Sequence, residues 1–270
     1  MEKQGNLRAG KGESMHKRLI ASVAVSALIC LFISGAYAGE KNPVVMFDQG
    51  HGQKFLIEKE GDLQLSKLAA LFKDEGYRVK SGTSLITDES MQGVSVLVIS
   101  GAFAPLTSAE VDALMRFLGA GGRLCIMLHI PQPYAGLMSR LQIFASNGVI
   151  LEREHLINDQ PKDFFVVNLD KHPITEGIRK IGVHGGWALI SDGRQGKIIA
   201  RTGSRAWIDL NRDGKFNGTD AEQSFGVAVT GSYGKGRYII FGDDAIFQNR
   251  FLETENMAFG RNLVKWLRES

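Results

Sequence analysis

The chain has 270 residues, 44% of them apolar and 23% charged. That balance excludes a disordered or collagen-like polymer and leaves length for a sizeable core in one large domain. The formal charge of +3 comes from residues 1–38, where Lys3, Arg8, Lys11, Lys17 and Arg18 outnumber Glu2 and Glu13; the neutral remainder excludes a basic nucleic-acid-binding domain.

The N-terminus reads as an export signal. His16-Lys17-Arg18 is a positive n-region, Leu19 to Ser34 is an uncharged apolar run, and Ala36-Tyr37-Ala38 is a small-x-small cleavage site before Gly39. The run falls short of the roughly 20 apolar residues of a membrane span, so no stable span is expected after cleavage, and the address is periplasmic or secreted. Met15 is a second candidate start. Gly5 to Gly12 imitates a phosphate loop, but Gly12 stands where a metal-binding Ser or Thr is required. Cys30 departs with the signal, leaving Cys125 without an intramolecular disulfide partner.

Val44 to Phe47 is a buried-strand run opening into Asp48-Gln49-Gly50-His51-Gly52. Leu65, Leu68, Ala69 and Phe72 recur at helical spacing before the stop at Gly76. Tyr77 to Val79 and Val94 to Ile99 predict the next strands. Thr107 and Glu110 form a capping box, and Val111, Leu114, Met115 and Leu118 are the inner face of the helix it opens. Arg123 to Leu128 predicts a strand in which Cys125 is a buried small apolar residue. Tyr134 to Ser146 predicts a helix and Val149 to Leu151 a fifth strand. Continuous apolar strands alternating with amphipathic helices imply parallel strands covered on both faces. The second half predicts strands at 164–169, 186–190, 197–201, 206–209, 225–230 and 237–241 between Gly-rich turns, then a closing helix from Asn256 to Leu267. The expected organisation is a leader at 1–38 and one domain at 39–270 with a β-rich C-terminal elaboration.

Several segments, taken in order, carry a resemblance. They are Phe47 to Gly52, Ser100-Gly101 with Pro105-Leu106-Thr107, the Gly119 to Arg123 turn, His172 to Gly177, and Phe241-Gly242-Asp243-Asp244 with Phe247, Asn249 and Asn256. The set resembles the class I glutamine amidotransferase-like superfamily in its DUF4350-like, non-amidotransferase branch. The resemblance implies a flavodoxin-like three-layer α/β/α sandwich with a mostly parallel sheet, and a binding or scaffold role. True amidotransferases carry their cysteine at a Gly-x-Cys-x-Gly elbow. The matching strand here runs from Cys125 through His129 to Pro131 without an elbow cysteine, so glutamine hydrolysis is not expected.

Asp209, Asn211, Asp213, Lys215, Asn217 and Asp220, with Gly214 at the turn, have the spacing of a calcium loop. A hard cation takes six to eight oxygens, and alternate side chains of a curled loop supply them, Lys215 through its carbonyl. Glu222 is a substitute for Asp220 as the last ligand, and the expected role of this insertion at 209–220 is a staple rather than a switch. The second candidate is Asp48 with His51, joined by Ser100 and His129, at the carboxyl edge of the parallel strands, where open α/β folds bind ligands. In Gly242-Asp243-Asp244, taken with Asn249 and Asn256, Asp243 reads as a cap of backbone amides that holds the closing helix, with a ligand role as the alternative, and His155, His172 and His184 read as turn and surface residues. No catalytic residue is assigned. The sequence thus predicts an exported, calcium-stabilised binding or scaffold domain for an unidentified protein or small polar ligand. The alternative is a hydrolase acting on a small polar or glycan-derived substrate at the Asp48/His51 edge.

Overall fold

A computed structural model describes residues 42–269. The expected export signal and cleavage point, Met15 and Cys30 lie outside the described residues. In chain order the first half contains β1 (Val44–Asp48), α1 (Ser66–Asp74), β2 (Arg78–Gly82), β3 (Val96–Ser100), α2 (Ser108–Gly119), β4 (Arg123–Met127), α3 (Ala135–Arg140) and β5 (Ile143–Val149). The second half contains β6 (Leu156–Ile157), β7 (Gln160–Val166), β8 (Asn168–Leu169), β9 (Ile181–His184), β10 (Trp187–Ser191), β11 (Gly196–Arg201), β12 (Trp207–Ile208), β13 (Ala221–Glu222), β14 (Gly226–Tyr233), β15 (Gly236–Phe241) and α4 (Thr254–Arg268).

The large sheet runs β2-β1-β3-β4-β15-β14-β10-β5, with β11 on β14 and β8 on β11. β2, β1, β3, β4 and β15 are mutually parallel; β14, β10, β5, β11 and β8 extend the sheet antiparallel. Every residue of β1 and β3 is buried, as expected of strands covered on both faces. Alternation sorts their side chains into two cores. Val45, Phe47, Val98, Cys125, Met127, Ile239 and Phe241 pack with Leu68 and Phe72 of α1 and Phe259, Leu263 and Leu267 of α4. Met46, Leu97, Ile99, Leu124, Ile126 and Ile240 pack with Leu114 and Leu118 of α2 and Leu137 and Met138 of α3. Each fully buried aliphatic or phenyl side chain contributes about 1.5–3 kcal/mol, so helices on both faces fix the sheet between them.

The capping box at the head of α2 is formed: Thr107 accepts from the Glu110 amide, and the Glu110 carboxylate accepts from the Thr107 amide. One predicted helix is corrected. The span from Tyr134 to Ser146 is helical only to Arg140; Gln142 takes a positive φ of 55°, and Ile143–Val149 becomes β5, paired with β10. Strand pairing there overrides the helical spacing of Leu137, Leu141 and Ala145.

Because β1, β3, β4 and β15 are parallel, their carboxyl ends share one edge. Ser100 lies opposite Met127, and Met127 opposite Phe241. The loops carrying Asp48 and His51, Ser100 and Gly101, His129, and Asp243 and Asp244 therefore all leave the sheet on that side.

Candidate functional site

At β1 the edge is closed by a buried ionic staple. Asp48 and His51 are 4% and 3% exposed. The His51 ring meets Asp48 Oδ2 through Nδ1 at 2.8 Å and Glu110 Oε1 through Nε2 at 3.0 Å. A neutral imidazole donates only once, so bonds to two carboxylates require the imidazolium. The Asp48 bond accordingly raises the His51 pKa against the opposing effect of burial, with the Asp48 and Glu110 charges adding to the rise. Gln53 donates to Asp48 Oδ2 and accepts from the His51 amide at 2.8 Å. The Phe103 and Ala104 amides donate to the His51 carbonyl, each at 2.9 Å. The staple therefore ties the β1 loop to the loop after β3 and to the first turn of α2. Both ring nitrogens of His51 are engaged, and neither is free to move a substrate proton.

Glu110 is the residue that the sequence revealed only by half. Its capping role was legible; its bond to His51 joins residues 59 positions apart and had no local signal. Burial pushes its carboxyl up, but the Thr107 and Ile86 amides and the Thr107 hydroxyl hold its pKa below the ordinary value.

Ser100 and His129 lie on the same edge without joining the staple. His129 Nδ1 meets Asp244 Oδ1 at 3.2 Å, with the imidazole 40% exposed. The Asp244 bond raises its pKa, against burial. The rings of Phe55 and Phe103 stand 5.5 and 5.0 Å from the imidazole. Ser100 Oγ and Asp244 Oδ2 are buried without hydrogen-bond partners. The neighbouring Asp243 donates nothing to this cluster: its two oxygens accept from the His184 and Ala245 amides at 2.7 and 2.8 Å. Burial, and then the Asp244 charge, push its carboxyl up to about 8.

The remaining candidates have structural roles. Asn249 accepts from the Lys67 amide at 2.9 Å and so caps α1. Asn256 pairs with the Gly182 backbone at 2.8 and 3.1 Å, fixing α4 to β9. His172 accepts from the Ile174 amide, His155 sits in a positive-φ turn, and His184 stacks on Phe251 at 3.9 Å. Cys125 is 1% exposed in mid-strand, where burial drives its thiol pKa far up.

The loop at 209–220 is curled by its own side chains. Asp209 accepts from the Gly214 amide at 2.8 Å, Gly214 has φ 75°, and Asp213 accepts from the Lys215 amide at 2.8 Å. Asp220 accepts from the Leu210 and Asn217 amides at 3.1 and 2.8 Å. Asn211 and Asn217 turn their amide nitrogens to Asp213 Oδ2 at 3.1 and 2.9 Å. The residue types suit a hard cation, but two amide donors occupy the side of Asp213 that a cation would take. Among the described residues, no group of three or more His, Cys, Asp and Glu side chains is arranged to hold a metal ion.

No helix among the described residues is long and apolar enough to cross a membrane. No family model and no curated relative matches the chain. Solved structures do. The mmIFT52 N-terminal domain aligns with a TM-score of 0.68 at 16% identity, over 84% of this chain and 98% of that one. Cytoplasmic protein STM1381 from Salmonella typhimurium LT2 aligns at 0.56 and 16% identity, over 84% and 100% of the two chains. STM3548 from Salmonella typhimurium aligns at 0.53 and 12% identity, over 83% and 98%. At such identities the likeness is one of fold: a mixed α/β chain built on one large sheet.

Proposed function

We propose that this protein is an exported, non-catalytic binding or scaffold domain of class I glutamine amidotransferase-like, three-layer flavodoxin-like fold, related to the DUF4350-like branch. Its ligand edge lies at the carboxyl ends of the parallel strands. The observation that carries this reading is His51, locked between two buried carboxylates: the edge is built with a histidine that supports structure and has no free nitrogen for chemistry. The position of Cys125 supports it, because a thiol buried in mid-strand supplies no nucleophile. The likeness to the mmIFT52 N-terminal domain supports the fold part of the proposal. Purified protein assayed against glutamine and a panel of p-nitrophenyl esters and glycosides should give no turnover above blank. Glutaminase activity that vanishes in Cys125→Ser would overturn the reading.

One observation favours a hydrolase as the second reading. His129 is exposed, oriented by a carboxylate, and has Nε2 free, as a general base requires. Ser100 is not its nucleophile in this arrangement, because Ser100 Oγ has no hydrogen-bond partner. Ester turnover lost in His129→Gln and retained in His51→Gln would establish that reading instead.

Calcium belongs to the same proposal. Asp209, Asn211, Asp213, Asn217, Asp220 and the Lys215 carbonyl would hold it, once the Asn211 and Asn217 amides turn their oxygens inward. The ion would staple the loop to the strands beside it.

A further inference from the structure

We infer that the ligand site on this edge is the cluster of His129, Asp244, Ser100, Phe55 and Phe103, and that it takes a small neutral molecule presenting a hydrogen-bond donor beside an acceptor on an apolar body. The inference rests on the binding reading above and moves the site away from Asp48 and His51.

Two orphaned atoms mark the place. Ser100 and Asp244 are each 3% exposed, and Ser100 Oγ and Asp244 Oδ2 have no partner. A buried polar atom left unpaired costs about 1–3 kcal/mol, so two at one strand edge call for a bound molecule to complete them. Gly101, between Ser100 and the turn, has φ 60°; a Cβ there would lie 2.7 Å from Asp244 Oδ2 and 3.0 Å from the Phe55 ring. Only a bare backbone lets Asp244 and Phe55 approach this closely. Phe103, 40% exposed, stands 5.0 Å from the His129 ring and is the exposed aromatic member of the cluster.

The chemistry of the cluster selects the ligand. Asp244 Oδ2 can only accept, His129 Nε2 can donate, and the Ser100 hydroxyl can do either. His129 Nδ1 already faces Asp244 Oδ1 at 3.2 Å, so the second carboxylate oxygen is the acceptor left for a ligand. An ammonium ligand has no acceptor for the His129 and Ser100 donors, and a carboxylate ligand has no donor for Asp244 Oδ2. A hydroxyl or a carboxamide satisfies both with adjacent donor and acceptor atoms, and its C–H surface packs on the phenyl rings.

Saturation-transfer NMR on the purified protein tests this with methyl glucopyranoside, propionamide, propylamine and propionate as probes. Transfer to the glucoside or to propionamide, and not to the two charged probes, is expected; which neutral probe responds tells hydroxyl from carboxamide. Asp244→Asn and Phe103→Ala, each checked by circular dichroism, should weaken that binding about tenfold or more. Should Asp244→Asn not fold, Phe103→Ala decides, since its ring is largely outside the core. Preference for a charged probe, silence from both neutral probes, or undiminished binding in the folded variants overturns the inference. Those results leave the non-catalytic reading standing; only turnover in the assays above removes that.

Discussion

Asp48 ends a strand and Glu110 begins a helix, yet the two carboxylates hold the same imidazole. Removing the cation from between them leaves two buried, mutually repelling charges, and breaking a buried pair in this way costs about 3 kcal/mol or more. His51→Gln should therefore lower the denaturant midpoint with an unchanged slope; a loss under about 0.5 kcal/mol, as at an ordinary surface site, would show that the staple is not formed. The pH dependence has a definite sign. His51 keeps its proton in the folded state to a pH above its ordinary 6.5, so its stabilisation is complete below that pH and is lost as pH rises through the folded pKa. Glu110, held below 4.5, acts at the other end, and its contribution is lost as pH falls through its folded pKa. Asp243, raised from 3.8 to about 8, adds a further decline between those values, because the unfolded chain releases that proton first. The difference between wild type and His51→Gln, measured from pH 6 to 9, isolates the histidine; parallel curves over that range would contradict the assignment. Asp48 and His51 were legible as a pair because they lie three positions apart in the chain. Asp244, which orients His129 from 115 positions away, was legible only as a member of the Gly242-Asp243-Asp244 segment.

At the scale of elements, strand and helix identity followed from periodicity wherever the core is two-sided. β1, β3 and β4 are continuous apolar runs, and α2 announces itself with Thr107 and Glu110. Periodicity failed at Ile143–Val149, whose apolar spacing suits a helix and whose conformation is set by pairing with β10 much further along the chain, Val149 with Trp187 and Ile143 with Ser191. The short β9, which presents the Gly182 amide to Asn256, had no sequence signal beyond Ile181 and Val183. The loop at 209–220, proposed to hold calcium, is the element whose reading turns on a measurement. Calcium that binds only the folded state adds RT ln(1 + [L]/Kd), about 1 kcal/mol for millimolar ion and a Kd on the order of 10⁻⁴–10⁻³ M. The melting temperature should then rise by about 2–4 °C with calcium and less with magnesium, which wants stricter octahedral geometry. Asp213→Ala should abolish the rise. Identical melting of wild type and variant at every calcium concentration would reduce the loop to a turn closed by its own amides.

For the whole molecule, the insertion of the late strand β15 beside β4 decides where the chemistry sits. That parallel pairing, Arg237 against Arg123 through Phe241 against Met127, delivers Asp243 and Asp244 to the edge where β3 and β4 have already placed Ser100 and His129. Local patterns carry the strands themselves but not which distant strand completes the sheet, so half of the edge cluster was out of reach of the sequence. The proposed export is tested on the whole chain: N-terminal sequencing of the protein recovered from its native compartment should start at Gly39, and an intact leader in a membrane fraction would contradict cleavage. Two histidines are thus proposed to divide the work along one sheet edge, His51 sealed for structure and His129 left for a ligand. Nitrogen-15 NMR of the histidine rings at neutral pH tests it most directly. The expected result is an imidazolium for His51 with two N–H groups in slow exchange with water, absent in His51→Gln and unmoved by any neutral probe, beside a His129 ring that shifts when the probe binds. A neutral, freely exchanging His51 ring that responds to the probe would contradict it.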